Sequence, residues 1–357
     1  MAKIDTFLEF LISSGASDLH LCSGVVPSVR MDGEIRKLTG TDAVDNETAK
    51  KLIEEIMPEH NKKEFWDCFD TDFAYELPEI GRFRVNVFMD KNGIGTVIRQ
   101  IPVNILSADD LNLPQAVRDL CFLNKGLVVV TGPTGSGKST TLAAMIDLIN
   151  DQRTDHIITI EDPVEFVHKN KSCLINHREV HRHTGSFKRA LRAALREDPD
   201  IVLVGEMRDL ETVEIAIETA ETGHLVFGTL HTNTAPSTVD RIIDQFPADR
   251  QDQIRTMLSS SLKGVIAQTL LKKQSGGRVA ALEILIVNSG VANIIREGKT
   301  HQIPSMMQTG KKFGMQTLNE SLFELVDNGT VTPEEALYRA VDKISFETML
   351  TTHGFEV

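Results

Sequence analysis

The chain of 357 residues is 41% apolar and 25% charged, with 24 Gly and 12 Pro. That composition excludes a disordered or fibrous chain. At roughly 150 residues per domain it predicts about two domains, each able to bury its own core. A formal net charge of −13 argues against sequence-independent nucleic-acid binding as the main task, while leaving room for a local basic groove.

Met1-Ala2-Lys3-Ile4-Asp5 leads into an apolar patch interrupted by Glu9, which does not read as a signal peptide. No apolar run approaches the roughly 18 residues of a membrane span. Cys22, Cys68, Cys121 and Cys173 lie far apart without a Cys-x-x-Cys pair, so reduced thiols are expected, with neither disulfides nor a zinc ribbon. The expectation is a cytoplasmic protein that meets a membrane only through partners.

Phe7, Leu8, Leu11 and Ile12 share one face of a helix predicted over residues 4–13. Leu19, Leu21 and Val25 begin a strand-like alternation, and Met31-Asp32-Gly33-Glu34 predicts a hairpin turn. Phe83, Val85 and Val87, then Asn92-Gly93, then Thr96 to Ile98 predict a second strand pair. Residues 1–103 therefore read as an α+β module. The short mixed stretch Ile101-Pro102-Val103-Asn104 leads into a hinge-length linker over 104–119.

From about residue 120 the pattern changes. Continuous β-branched runs at 127–131, 156–160, 201–204 and 225–229 alternate with stretches of helical period, which predicts a parallel sheet with helices on both faces. After about residue 250 the chain reads as mostly helical, with amphipathic helices at 315–328 and 333–341. Met257, Met306, Met307 and Met315 there read as ordinary packing.

The segment Gly132-Pro133-Thr134-Gly135-Ser136-Gly137-Lys138-Ser139 matches G-x-x-x-x-G-K-[ST] in full, between a predicted strand and a helix beginning near Thr140. Glycines let backbone N–H groups close around phosphates, and the helix N-terminus adds positive partial charge. Lys138 would reach the β- and γ-phosphates and the Ser139 hydroxyl would ligate Mg²⁺. A Gly-rich turn without a ligand does not demand this order of strand, loop and helix. The segment is a nucleotide site extending to Thr140.

Phosphoryl transfer to water also needs a carboxylate on the metal and a group to orient the water. Two apolar strands end in acid: Ile157-Ile158-Thr159-Ile160-Glu161-Asp162-Pro163, and Ile201-Val202-Leu203-Val204-Gly205-Glu206, a variant without the usual strand-terminal Asp. Both put a carboxylate at the edge where open α/β sheets bind ligands. Seven of eleven histidines lie between His156 and His231. His231 follows the strand 225–230 at that same edge, where it could sense the γ-phosphate. His177, His181 and His183 lack a suitably spaced fourth ligand for a metal. Six basic residues between Arg178 and Arg196 read as a solvated helix face or as a patch toward a neighbouring subunit. Arg82, Arg84 and Arg99 lie on strands among apolar residues, where Arg usually has an anionic partner.

Taken in order, these motifs resemble the secretion-superfamily ATPases, specifically the PilT-type retraction motors of type IV pili. The resemblance spans nearly the whole chain. It includes Ala16-Ser17-Asp18-Leu19-His20-Leu21, Arg82-Phe83-Arg84-Val85-Asn86, the phosphate loop, and an Asp box from Thr159 to Phe166. It continues through a Walker B stretch from Leu195 to Asp209 and a His box from Ala220 to Thr232. It implies a PAS-like domain over 1–103 and a RecA-like P-loop NTPase domain over 120–357 with a helical C-terminal part. It also implies ATP and Mg²⁺ as cofactors, a homo-hexamer, and partners in an inner-membrane platform protein and the pilin machinery. Nucleic acid would not be a direct partner, and the chain would sit peripherally at the inner membrane.

The resemblance makes Glu161 the water-activating base and Glu206 the carboxylate near Mg²⁺, though the two could trade roles. It makes Arg82, Arg84 and Arg99 the arginines offered to the nucleotide. The four-cysteine motif of secretion and extension relatives is missing, as is their longer N-terminal extension, which favours the retraction branch. Where retraction motors usually carry Ala-Ile-Arg-Asn-Leu-Ile-Arg-Glu, this chain reads Gly290-Val291-Ala292-Asn293-Ile294-Ile295-Arg296-Glu297. The alternatives are an accessory paralogue of the motor, a RecA-like nucleic-acid translocase and a non-hydrolysing adaptor.

Overall fold

The computed structural model describes residues 2–31, 34–78, 80–101 and 104–356. Asp32 and Gly33 of the predicted hairpin turn, and Pro102 and Val103 beside the predicted linker, lie outside the described residues. The chain divides into two compact units. The first runs to Asn104 and also takes in Pro163–Val167, and the second holds Ile105–Asp162 and His168 onward.

The first unit is an antiparallel sheet covered by helices. Its elements are α1 (Asp5–Ser13), β1 (Asp18–Cys22), β2 (Ser28–Met31), β3 (Glu34–Lys37), α2 (Asn46–Ile56), α3 (Glu59–Cys68), β4 (Asp70–Leu77), β5 (Gly81–Asp90) and β6 (Gly93–Ile101). The strand order is β3-β2-β1-β6-β5-β4. Side chains alternate across a strand, so Phe83, Val85 and Val87 of β5 all face one side. They are fully buried there with Leu19 and Leu21 of β1 and Ile98 of β6, against Leu8 of α1, Ile53 of α2 and Phe65 of α3. Asp18 is buried at the end of β1 and pairs in register with Arg99 of β6.

The second unit contains α4 (Gln115–Leu120), β7 (Gly126–Thr131), α5 (Lys138–Gln152), β8 (His156–Glu161), β9 (Leu174–Glu179), α6 (Phe187–Ala194), β10 (Ile201–Val204), α7 (Leu210–Glu221) and β11 (Leu225–Leu230). It continues with α8 (Ala235–Asp244), α9 (Gln251–Ser261), β12 (Leu262–Lys272) and β13 (Arg278–Ile286). The last helices are α10 (Ser289–Arg296), α11 (Ile303–Thr309), α12 (Leu318–Asp327), α13 (Pro333–Arg339) and α14 (Lys343–Thr352). Its sheet runs β13-β12-β7-β11-β10-β8-β9 and is parallel except for the β12–β13 pair. Every residue of β7, β10 and β11 is buried, as a sheet covered on both faces requires. Alternate residues of β7 feed two cores: Leu127 and Val129 on one face, Val128 and Val130 on the other.

Three expectations change. The region after residue 250 is not mostly helical, because β12 and β13 form a long antiparallel pair joined at Gly276 and Gly277, both at positive φ. Val265, Ile266 and Ala267 are buried beside β7, and a strand buried on both faces shows no alternation to distinguish it from a buried helix. The helix after the glycine loop starts at Lys138 rather than near Thr140. The helix expected from residue 315 starts at Leu318, where Thr317 and Glu320 form a capping box. The four methionines pack as expected: Met307 and Met315 are buried, and Met257 and Met306 lie against the same core.

His168 is buried and stacks on His177 of β9, with ring centroids 5.9 Å apart. The His168 backbone N–H donates to Nε2 of His177 at 3.1 Å. Nδ1 of His177 lies 2.8 Å from the Thr159 hydroxyl. Burial first, and then His177 and Lys171, push the His168 imidazole down to about 3. Folded chains then bind this proton less readily than unfolded ones. The stability it protects is complete above an unfolded value of about 6.5 and is lost as pH falls from there toward 3. Urea melts between pH 7 and pH 4.5 should show roughly 1.4 kcal/mol less stability per pH unit from this group. His168→Phe should flatten that slope by about one proton, and an identical slope in the variant would refute the assignment.

Candidate active site

Because β7, β8, β10 and β11 are parallel, their C-terminal ends share one edge of the sheet. The sequence places a functional group after each of them: the glycine loop after β7, Glu161 at the end of β8, Glu206 after β10 and His231 after β11. All four expected groups of this unit therefore meet at the edge where such sheets bind ligands.

The loop 132–137 turns β7 into α5. Gly132 has φ 145° and Gly137 has φ 87°, conformations that side chains rarely adopt. Gly137 precedes the 15-residue helix α5, and no side chain caps that helix. Its first-turn N–H groups have no intrahelical acceptor and face the loop, an arrangement suited to phosphate oxygens. Pro133, Thr134 and Gly135 are exposed at the tip, Ser136 is buried, and Ser139 and Thr140 are half-buried on the first turn. Lys138 Nζ donates to the carbonyls of Gly132 at 2.8 Å and Pro133 at 3.2 Å, so its ammonium lies over the loop.

Glu206 is the electrostatic centre of the edge. Its Oε1 accepts from Arg208 Nε at 2.6 Å and from His231 Nε2 at 2.9 Å. Burial alone would raise the Glu206 carboxyl. The hydrogen bond and charge of Arg208, followed by His231, outweigh it and hold the group below its usual range. Glu161 stands on the neighbouring strand. A Cβ on Gly205 would come within 3.1 Å of Glu161 Cγ and 3.2 Å of its Cα, so the glycine lets the two acidic strand ends lie close. Glu206, Arg208, His231, Thr232, Arg241 and Gln245 line a cavity of about 320 Å³.

Arg82, Arg84 and Arg99 lie in the first unit, on β5 and β6. Arg99 Nε bonds Asp18 at 2.7 Å, Arg84 stands 3.8 Å from Asp72, and Arg82 lies opposite Glu76. In the basic segment, Arg178 pairs with Glu197 at 2.7 Å and Lys188 with Glu211 at 2.5 Å, while Arg182, Arg189, Arg192 and Arg196 are exposed. Among the described residues, no group of three or more His, Cys, Asp or Glu could hold a metal by itself. No helix among them is long and apolar enough to cross a membrane.

Three contributors to the site were not singled out from sequence. Arg208 is one, although its place two residues after Glu206 was a usable clue. Gln268 of β12 is buried against the loop, its Nε2 donating to the Ser136 carbonyl at 2.6 Å. Glu283 of β13 accepts the Ala235 N–H at 2.6 Å and so anchors α8, the helix that follows His231. Burial raises the Glu283 carboxyl despite this bond and one from Leu318. A polar side chain within a largely apolar strand was the available clue for these two.

Residues 3–338 match the family described as type II/IV secretion system protein. The chain is 51% identical over 337 residues to the type IV pilus retraction ATPase PilT of Pseudomonas aeruginosa, covering 94% of this chain and 98% of the relative. It is also 51% identical over 329 residues to a twitching motility protein of Neisseria gonorrhoeae, covering 92% of this chain and 87% of that one. A crystal structure of the pilus retraction motor PilT with bound ADP superposes with a TM-score of 0.90 at 46% identity, covering 98% of this chain and all of that one. The chain belongs to the type II/IV secretion system protein family.

Proposed function

We propose that the chain is an ATPase motor subunit that powers retraction of type IV pili, and hence twitching motility. The observation that carries the proposal is the complete phosphate loop at an uncapped helix start, sharing a sheet edge with Glu161, Glu206 and His231. The similarity of nearly the whole chain to a pilus retraction ATPase supports the choice of task. In this reading the first unit is the PAS-like domain and the second is RecA-like. Six copies form a ring, and the ring acts on pilin through an inner-membrane platform protein.

In hydrolysis the water oxygen bonds the γ-phosphorus as the bond to the ADP oxygen breaks, giving ADP and phosphate. The N–H groups of Gly135, Gly137, Lys138, Ser139 and Thr140 hold the phosphates, and Lys138 exchanges its loop carbonyls for β- and γ-oxygens. Ser139 and Glu206 would hold Mg²⁺, which would supply charge neutralisation for the phosphates. Glu161 takes the proton of the attacking water, and His231 reports the γ-phosphate to Glu206. Arg82, Arg84 and Arg99 are the arginines offered to the nucleotide. Arg99 would exchange Asp18 for it.

Lys138→Ala should lower ATP turnover of the purified chain by at least a hundredfold with an unchanged melting temperature, and undiminished turnover would sink the proposal. Glu161→Gln should lower turnover comparably while leaving the magnesium requirement in place. Glu206→Gln should raise the Mg²⁺ concentration for half-maximal turnover about tenfold. If Glu161→Gln moves the magnesium requirement instead, the two carboxylates have the opposite roles.

A further inference from the structure

Gln268 sits on β12, in the same sheet as β7, and its side chain makes both kinds of hydrogen bond an amide can make. Nε2 donates to the Ser136 carbonyl at 2.6 Å, and Oε1 accepts from the Thr141 hydroxyl of α5 at 2.8 Å. The residue is only 4% exposed, so neither bond competes with solvent. The approach is close on every side. A Cβ on Gly132 would stand 2.3 Å from the Gln268 carbonyl oxygen, and one on Gly137 would stand 2.9 Å from Nε2. The backbone of Gln268 thus requires glycine at 132, and its amide lies against Gly137, which already needs glycine for its own backbone angle.

The carbonyl and N–H of a trans peptide point in opposite directions. Drawing the Ser136 carbonyl toward β12 therefore turns the N–H of Gly137 away from β12, toward the open side of the loop. The Thr141 bond holds the start of α5 to the same side chain. Thr141 N–H in turn reaches the Gly137 carbonyl at 3.0 Å, which closes a small ring of contacts around that peptide.

We propose that Gln268 is a positioning residue for nucleotide binding: it orients the Ser136–Gly137 peptide so that the Gly137 N–H is aimed at the bound phosphates before they arrive. It rests on nucleotide binding at this loop as proposed above. Donor and acceptor are both needed, which selects an amide over a carboxylate of the same shape.

The test is a titration of the full chain with ADP and Mg²⁺ at pH 8 and pH 6, for the natural protein, Gln268→Glu and Gln268→Leu. Glu keeps the acceptor for Thr141 but loses the donor to Ser136 when ionised, and regains a donor when protonated. Gln268→Glu should bind ADP about tenfold more weakly than the natural protein at pH 8, with the gap narrowing at least threefold by pH 6. Gln268→Leu should be weakened equally at both values, and KM for ATP should rise more than kcat falls. Natural affinity in both variants, or a Gln268→Glu deficit that is the same at both pH values, would overturn the proposal. A natural protein that binds no ADP would instead overturn nucleotide binding at the loop itself.

Discussion

Residue-for-residue pairing of parallel strands fixes where every reactive group can be. Val204 of β10 lies beside Ile160 of β8 and Gly228 of β11, and Leu230 of β11 lies beside Thr131 of β7. The next residue or two on each strand is then a member of the site. A register slip of one residue would turn these strands over and pull both cores apart. Apolar burial on the two faces of the sheet therefore positions the polar edge without any contact among the polar groups themselves.

The edge must still keep its charges from cancelling or repelling one another. Glu161 and Glu206 end neighbouring strands, and Gly205 lets them approach closely. Arg208 and His231 offset that concentration of negative charge, and both touch the same oxygen of Glu206. On the other side of β11, the loop is anchored through Thr131, whose hydroxyl donates to the Thr232 carbonyl at 2.7 Å. The His box and the phosphate loop are thus joined by hydrogen bonds, and Glu283 ties the start of α8 to β13.

Much of the second unit was legible in the sequence because its signals are local. The phosphate loop is contiguous, and Glu161 and Glu206 each terminate an apolar run too short for anything but a buried strand. The family resemblance rested on such contiguous pieces and agrees with the similarity found across the whole chain. β12 and β13 were not legible, because a strand covered on both faces carries no alternation. Gln268 and Glu283 were hidden by the same uniformity, since their partners lie 132 and 48 residues away in the chain. In the first unit, Asp18 was visible only as part of a motif. Its bond to Arg99 became apparent from the β1–β6 register, which the sequence does not disclose.

The central claim is that hydrolysis at this edge drives retraction. The most direct measurement is a count of surface pili, together with twitching movement, in cells whose only change is Glu206→Ala in this chain. Abundant pili with movement lost is the result the account predicts. Bare cells would contradict it by pointing to extension, and cells with natural pili and natural movement would show that retraction does not depend on this chain.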